Sequence, residues 1–148
     1  MTESIRYDLE RIGTIFSDIH TYLKDLDNLG IHKREDLSDK RNFYAASMIL
    51  FSCLNRVIDL GTEISLAHNL GIPSTYREVF VLLKNDGIIS ETQAQELIGL
   101  VTYRNLLSHE YHGITDDKLF RLIQKTAVIR EFTRVMQQTI KQHGGESA

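Results

Sequence analysis

Between Val101 and Gly113 the chain reads V-T-Y-R-N-L-L-S-H-E-Y-H-G, which sets Arg104, Asn105, His109, Tyr111 and His112 among Val101, Leu106 and Leu107, residues suited to a helical core. Together these residue types can perform acid–base chemistry on a phosphate ester. Cleaving RNA with its own 2'-hydroxyl needs a base for that proton, an acid for the leaving 5'-oxygen, and positive charge on the phosphorane oxygens. A histidine, with an ordinary pKa of about 6.5, serves either proton role, and an arginine presents a planar fork of donors to phosphate. His109 and Arg104 supply one of each. A guanidinium beside Val101, Leu106 and Leu107 is costly to desolvate, so the segment lies on a surface or lines a cleft where the charge meets an anion or a carboxylate.

The spacing adds a geometric condition. On an ideal helix Arg104 and Tyr111 share one face and Asn105 and His109 another, while Arg104 and His109 stand about 140° apart. One straight helix cannot aim both at the same atom, so either the helix end bends or a second copy of the chain supplies one of them. His112 and Asp116 hint at a metal pair with His109, but no Glu-bearing zinc motif or third histidine accompanies them. No metal and no cofactor are therefore expected.

The elements that must position these residues read as helices. Ser90, with Gln93 three residues on, caps a motif helix expected to run from Glu91 toward His112. Apolar residues at Ile5, Leu9, Ile12, Phe16, Ile19, Leu23 and Leu26 step by four and three, which predicts a first helix packed lengthwise in a bundle and ended by Gly30. Residues 31–41 mix both charges and read as a solvated connector, with Ser38 or Asp39 to cap the next helix. That second helix, 40–69, is apolar almost all round between Ala45 and Leu60, as for a central bundle member. Asp59 interrupts it, read either as part of a polar stripe with Arg56 and Glu63 or as a carboxylate that orients Arg104 or His109. Thr75 and Glu78 after Pro73 open a short third helix, N-D-G at 85–87 is a turn, and Thr115 caps a last helix with Leu119, Leu122, Ile123, Ile129, Phe132, Met136 and Ile140 on its core face.

The R-N-x-x-x-H-x-Y arrangement of Arg104, Asn105, His109 and Tyr111 resembles the HEPN superfamily, and the tyrosine two places past the histidine resembles its HepT-type toxin branch. The likeness extends through I-D-L-G-T-E-I, I-P-S-T-Y-R-E-V-F and G-I-I-S-E, and so over about residues 5–140. Ser108, where such proteins usually carry an aliphatic residue, departs from the pattern and bears only on local packing. The resemblance implies an all-α antiparallel bundle of four to five helices, dimerising through the motif helix so that two histidines and two arginines meet in one cleft. It implies a toxin acting as a metal-independent endoribonuclease, with Asn105 holding the arginine or a phosphate oxygen. It also implies a partner, a small nucleotidyltransferase antitoxin that attaches adenylyl groups to the motif tyrosine, here Tyr111. The competing class is a non-catalytic scaffold that binds a nucleotide or a nucleotidyltransferase.

Composition bounds the rest. At 148 residues, with 42% hydrophobic and 25% charged, a single domain over 1–148 with one core is expected, frayed at its C-terminal tail. One proline and no tryptophan favour long helices. A net charge of -3 argues against broad binding to nucleic-acid backbones, so RNA contact must be local and DNA is not an expected partner. Cys53 is the sole cysteine and reads as a buried thiol, which suits a reducing cytoplasm. The N-terminus lacks a signal-peptide core and the run Ala45 to Leu54 stops short of a bilayer, so no membrane association is expected.

Overall fold

The computed structural model describes residues 5–109 and 113–144, with His109 described by its backbone alone. All regular structure among these residues is helical: α1 (Leu9–Asn28), a short 3-10 turn (Arg34–Ser38), α2 (Lys40–Ala67), α3 (Tyr76–Asn85), α4 (Glu91–Val101), α5 (Arg104–His109), α6 (Asp116–Gln124) and α7 (Thr126–Gly144). Helices α4 and α5 form one broken arm and α6 and α7 another, so the all-α bundle has five arms.

α1 starts where the Asp8 carboxylate accepts from the Arg11 backbone N–H and ends at Gly30, whose φ of 68° is the left-handed conformation glycine tolerates. The apolar seam holds from Ile12 onward. Leu9 remains exposed and Ile5 precedes the helix, while Ile15 takes a core place beside Phe16. α1 lies antiparallel on α2, tied by Arg11 Nε to Glu63 Oε1 at 2.5 Å and by Arg56 Nη2 to Asp18 Oδ2 at 2.8 Å.

Asp39 caps α2 by accepting from the Arg41 backbone N–H. α2 is apolar on most sides because it touches α1, α3, α4, α5 and α6. Burial pushes the Cys53 thiol up to about 12, which leaves it protonated and unreactive at neutral pH. By length and composition α2 is long and apolar enough to cross a bilayer, and half of that apolar window is buried inside the bundle. Gly61 lets α3 approach: a Cβ there would stand 2.5 Å from Val79 Cγ1. Gly61→Ala is therefore expected to destabilise the fold by about 1–3 kcal/mol, through overpacking, read as a lower urea midpoint with an unchanged slope.

The connector 31–41 is less solvated than its charges suggest. The Asp36 carboxylate accepts from the backbone N–H groups of His32 and Lys33, the chain closes into the 3-10 turn, and Leu37 is buried in the core. Thr75 Oγ1 caps α3 by accepting from the Glu78 N–H, and the Glu78 carboxylate in turn accepts from the Ser74 N–H and hydroxyl. Gly87, at φ 78°, turns the chain into α4, where Ser90 and Gln93 form the expected capping box.

The motif helix is not continuous. α4 stops at Val101, the Thr102 N–H and hydroxyl both return to the Ile98 carbonyl, and the Tyr103 N–H reaches only to Leu100. That tightened turn starts α5 afresh at Arg104 and seats Leu107 in the core. The last helix likewise breaks at Lys125, with Leu119 and Leu122 buried on α6 and Ile129, Phe132 and Met136 on α7, and Ile123 and Ile140 half-buried.

At the far end of α2, His68 caps the helix with its side chain 5% exposed. Its Nε2 lies 2.6 Å from the Tyr7 hydroxyl, and its ring stands edge-on to His143. Burial, then the neighbouring His143, lowers the His68 pKa, and Asp86 opposes this weakly from 3.9 Å. The unfolded chain thus takes up a proton before the folded one as pH falls below about 6.5, so folding stability is lost on acidification through that window. The thermal midpoint is expected to drop between pH 7 and 5, and the drop should shrink in His68→Gln; an equal drop in both proteins would assign the acid sensitivity elsewhere.

Candidate functional site

Arg104 begins α5 and points across to α2 and the start of α3. Its Nε donates to Asn55 Oδ1, and its Nη1 donates to the Tyr76 hydroxyl and, at 3.3 Å, to Asn105 Oδ1. Its Cζ lies 4.8 Å from the centre of the Tyr76 ring and 5.5 Å from that of Phe51. These cation–π contacts and neutral acceptors fix the guanidinium plane without neutralising it.

The rest of the molecule makes that charge stand out. Of the ten arginines in the chain, seven form ion pairs with a carboxylate. Among the described residues Arg6, Arg77 and Arg104 form none, and Arg77 follows Tyr76 in the first turn of α3. A half-buried arginine held by an amide, a phenol and two aromatic faces is a pre-organised anion site, because its donors are aimed before the anion arrives.

Asp59 does not take part in holding Arg104. Its carboxylate accepts from Arg56 Nη1 at 3.2 Å, and Arg56 bridges on to Asp18, so Asp59 belongs to the polar stripe that joins α2 to α1. The α2 residue that reaches Arg104 is Asn55, one turn earlier. Asn105 is exposed and bonded to Arg104. The His109 backbone closes α5, five residues after Arg104 on the same helix. The His109 side chain lies outside the described residues, as do Tyr111 and His112. Among the described residues no group of three or more His, Cys, Asp or Glu side chains is placed to hold a metal ion.

Sequence reasoning missed Asn55, Tyr76 and Phe51. Asn55 stands in the sequence only as the residue after the apolar run Ala45 to Leu54, and Tyr76 only within the I-P-S-T-Y-R turn. They lie 49 and 28 residues from Arg104, and only the packing of α5 and α3 on α2 brings them to it.

Comparison with known proteins places this geometry in a family. The mRNA nuclease HepT of Shewanella oneidensis is 29% identical over 72 residues, which is 49% of this chain and 54% of that protein, so the matched stretch spans about half the length of this curated relative. Among solved structures, the cytosolic protein YutE from Bacillus subtilis, of unknown function, superposes with a TM-score of 0.82 at 18% identity, covering 94% of each chain. The tri-AMPylated HEPN toxin of Shewanella oneidensis, solved in complex with its MNT antitoxin, superposes with a TM-score of 0.81 at 22% identity, over 90% of this chain and 99% of that one. At such identities these likenesses establish the fold. The family profile described as ribonuclease HepT-like matches residues 19–139, most of the chain and all of the Arg104 site, and the chain belongs to that family.

Proposed function

We propose that this chain is an endoribonuclease toxin that cleaves RNA by attack of the 2'-hydroxyl on the adjacent phosphate, without a metal ion. The observation that carries the reading is the Arg104 guanidinium, fixed by Asn55, Tyr76 and Asn105 and facing no carboxylate among the described residues. In the mechanism Arg104 stabilises the phosphorane oxygens, Asn105 holds the arginine or a phosphate oxygen, and His109 moves the proton. Because residues five apart on an ideal helix stand about 140° apart, the site under this reading draws Arg104 and His109 from two copies of the chain. The exposed stretch of α2 beside the site supports that pairing: Tyr44 and Met48, one turn apart, are 54% and 52% exposed, while Phe51 and Asn55 further along the same face are taken up by Arg104. Such a stretch suits a helix from a second copy.

The partner under this reading is a nucleotidyltransferase antitoxin that adenylylates Tyr111, as the state of the Shewanella toxin suggests. An adenylyl group on that tyrosine, seven residues from Arg104 and on its face of an ideal helix, would add negative charge where phosphate must bind and so silence the cleft. The chain then works as one cytoplasmic domain on RNA, with no DNA, membrane or cofactor in its action. The test is RNA cleavage in excess EDTA by protein whose intact mass proves Tyr111 unmodified. Cleavage there supports the reading; no cleavage of several RNAs, tRNA and mRNA included, by a folded dimer would replace it with a nucleotide- or partner-binding scaffold.

A further inference from the structure

Tyr76 does more at this site than accept a hydrogen bond. It is the first residue of α3, held there by the Thr75 cap and by the Ser74–Glu78 hydrogen bonds, so its ring stands on a rigid helix start. One part of the ring meets the Arg104 guanidinium, yet 39% of the residue remains exposed. An exposed aromatic ring beside a cation that meets no carboxylate among the described residues matches the two halves of a nucleotide, a flat base and a phosphate. Arg77, exposed in the same first turn and in no ion pair among the described residues, puts a second cation one residue from Tyr76 on α3. Of the three arginines that meet no carboxylate among the described residues, Arg104 lies against the Tyr76 ring and Arg77 follows it on α3, in a chain whose net charge is -3.

We propose that Tyr76 is a nucleobase-stacking platform, that Arg77 contacts a flanking phosphate, and that the substrate class is therefore single-stranded RNA with an unstacked base next to the scissile bond. The inference rests on the nuclease reading for its turnover and adds to it a specificity residue outside the Arg104–His109 motif. A paired base in an RNA duplex is already stacked on both faces, and A-form grooves do not admit a ring on the base face, so duplexes are poor ligands for such a platform. Stacking on an aromatic tolerates any base.

The ring and the hydroxyl make separable predictions. Tyr76→Phe keeps the ring and loses the acceptor for Arg104 Nη1, so kcat falls while KM holds. Tyr76→Ala loses both, and KM rises by about 10- to 100-fold. Tyr76→Trp brings KM back without restoring kcat, a split that a merely structural role does not produce. Arg77→Ala raises KM several-fold and flattens its salt dependence. The position is exposed at a helix start, and unchanged helicity and thermal midpoint in each variant verify the fold.

Binding is tested apart from turnover by photo-cross-linking single-stranded RNA that carries 5-iodouridine and mapping the adduct by mass spectrometry. An adduct on Tyr76, absent with the same RNA in a duplex, is the expected result. Equal KM for Tyr76→Ala and Tyr76→Phe, with no adduct on Tyr76, would overturn the platform and leave the nuclease standing. An adduct without cleavage by the unaltered protein would keep the platform and sink the nuclease. An adduct abolished by an equal concentration of ATP would assign the ring to a free nucleotide and overturn its role on RNA.

Discussion

Arg104→Lys is expected to lower kcat/KM for RNA cleavage by on the order of 10²–10³, as removal of one pre-organised oxyanion donor does, with helicity and thermal midpoint unchanged. The substitution keeps a positive charge, so the loss tests geometry. An ammonium has no Nε to give Asn55 and no plane to lie against the Phe51 and Tyr76 rings, so it samples many positions where the guanidinium has one. Asn55→Asp should cost as much from the opposite side. It keeps the acceptor for Nε but puts a carboxylate against the guanidinium, and the phosphate then meets a neutral pair. Steady-state cleavage in EDTA reads both. Full activity in Asn55→Asp would mean that the uncompensated charge is not what binds phosphate.

The same contrast shows what sequence can and cannot carry. Arg104 and Asn105 were legible as neighbours, with His109 on the same helix, because their spacing is local: the six consecutive residues that carry the proposed chemistry keep their helical relations whatever the helix packs on. The caps were legible for the same reason, since Asp39, Thr75, Ser90 and Thr115 act within three residues of themselves. The partners of Arg104 were not, because nothing local marks Asn55 or Tyr76 as the residues that α5 will meet. Asp59 drew attention as the charged residue of an apolar helix, but its carboxylate already has Arg56 one turn away, and the α2 residue that reaches Arg104 is the neutral Asn55. The break at Thr102 was hidden as well. Neither Thr102 nor Tyr103 is a helix breaker, and the tightened turn follows from seating Leu107 in the core while Arg104 reaches α2. Leu37 makes the same point in the connector: a lone leucine among charges reads as solvated until the Asp36 turn aims it inward.

The second large effect concerns how many chains make one site. His109→Ala is expected to lower cleavage by about 10²–10⁴, the usual contribution of a positioned acid–base group, and Arg104→Ala by a comparable factor. Mixed together, the two inactive proteins should recover activity. If each site takes Arg104 from one copy and His109 from the other, a mixed dimer holds one site with both residues intact and one with neither. Random exchange makes half of the dimers mixed, so recovery approaches about a quarter of the unaltered rate for a symmetric pair. A site built within one chain predicts no recovery at any ratio, because every copy then lacks one of its two groups. The mixing experiment therefore decides between a bent helix end and a shared cleft. The break before α5 favours neither, since Arg104 and His109 both lie beyond it on the same six-residue helix. A shared cleft also ties toxicity to dimer formation, so that substitutions in the Tyr44–Met48 seam, such as Met48→Glu, would abolish cleavage and recovery together while each chain stays folded.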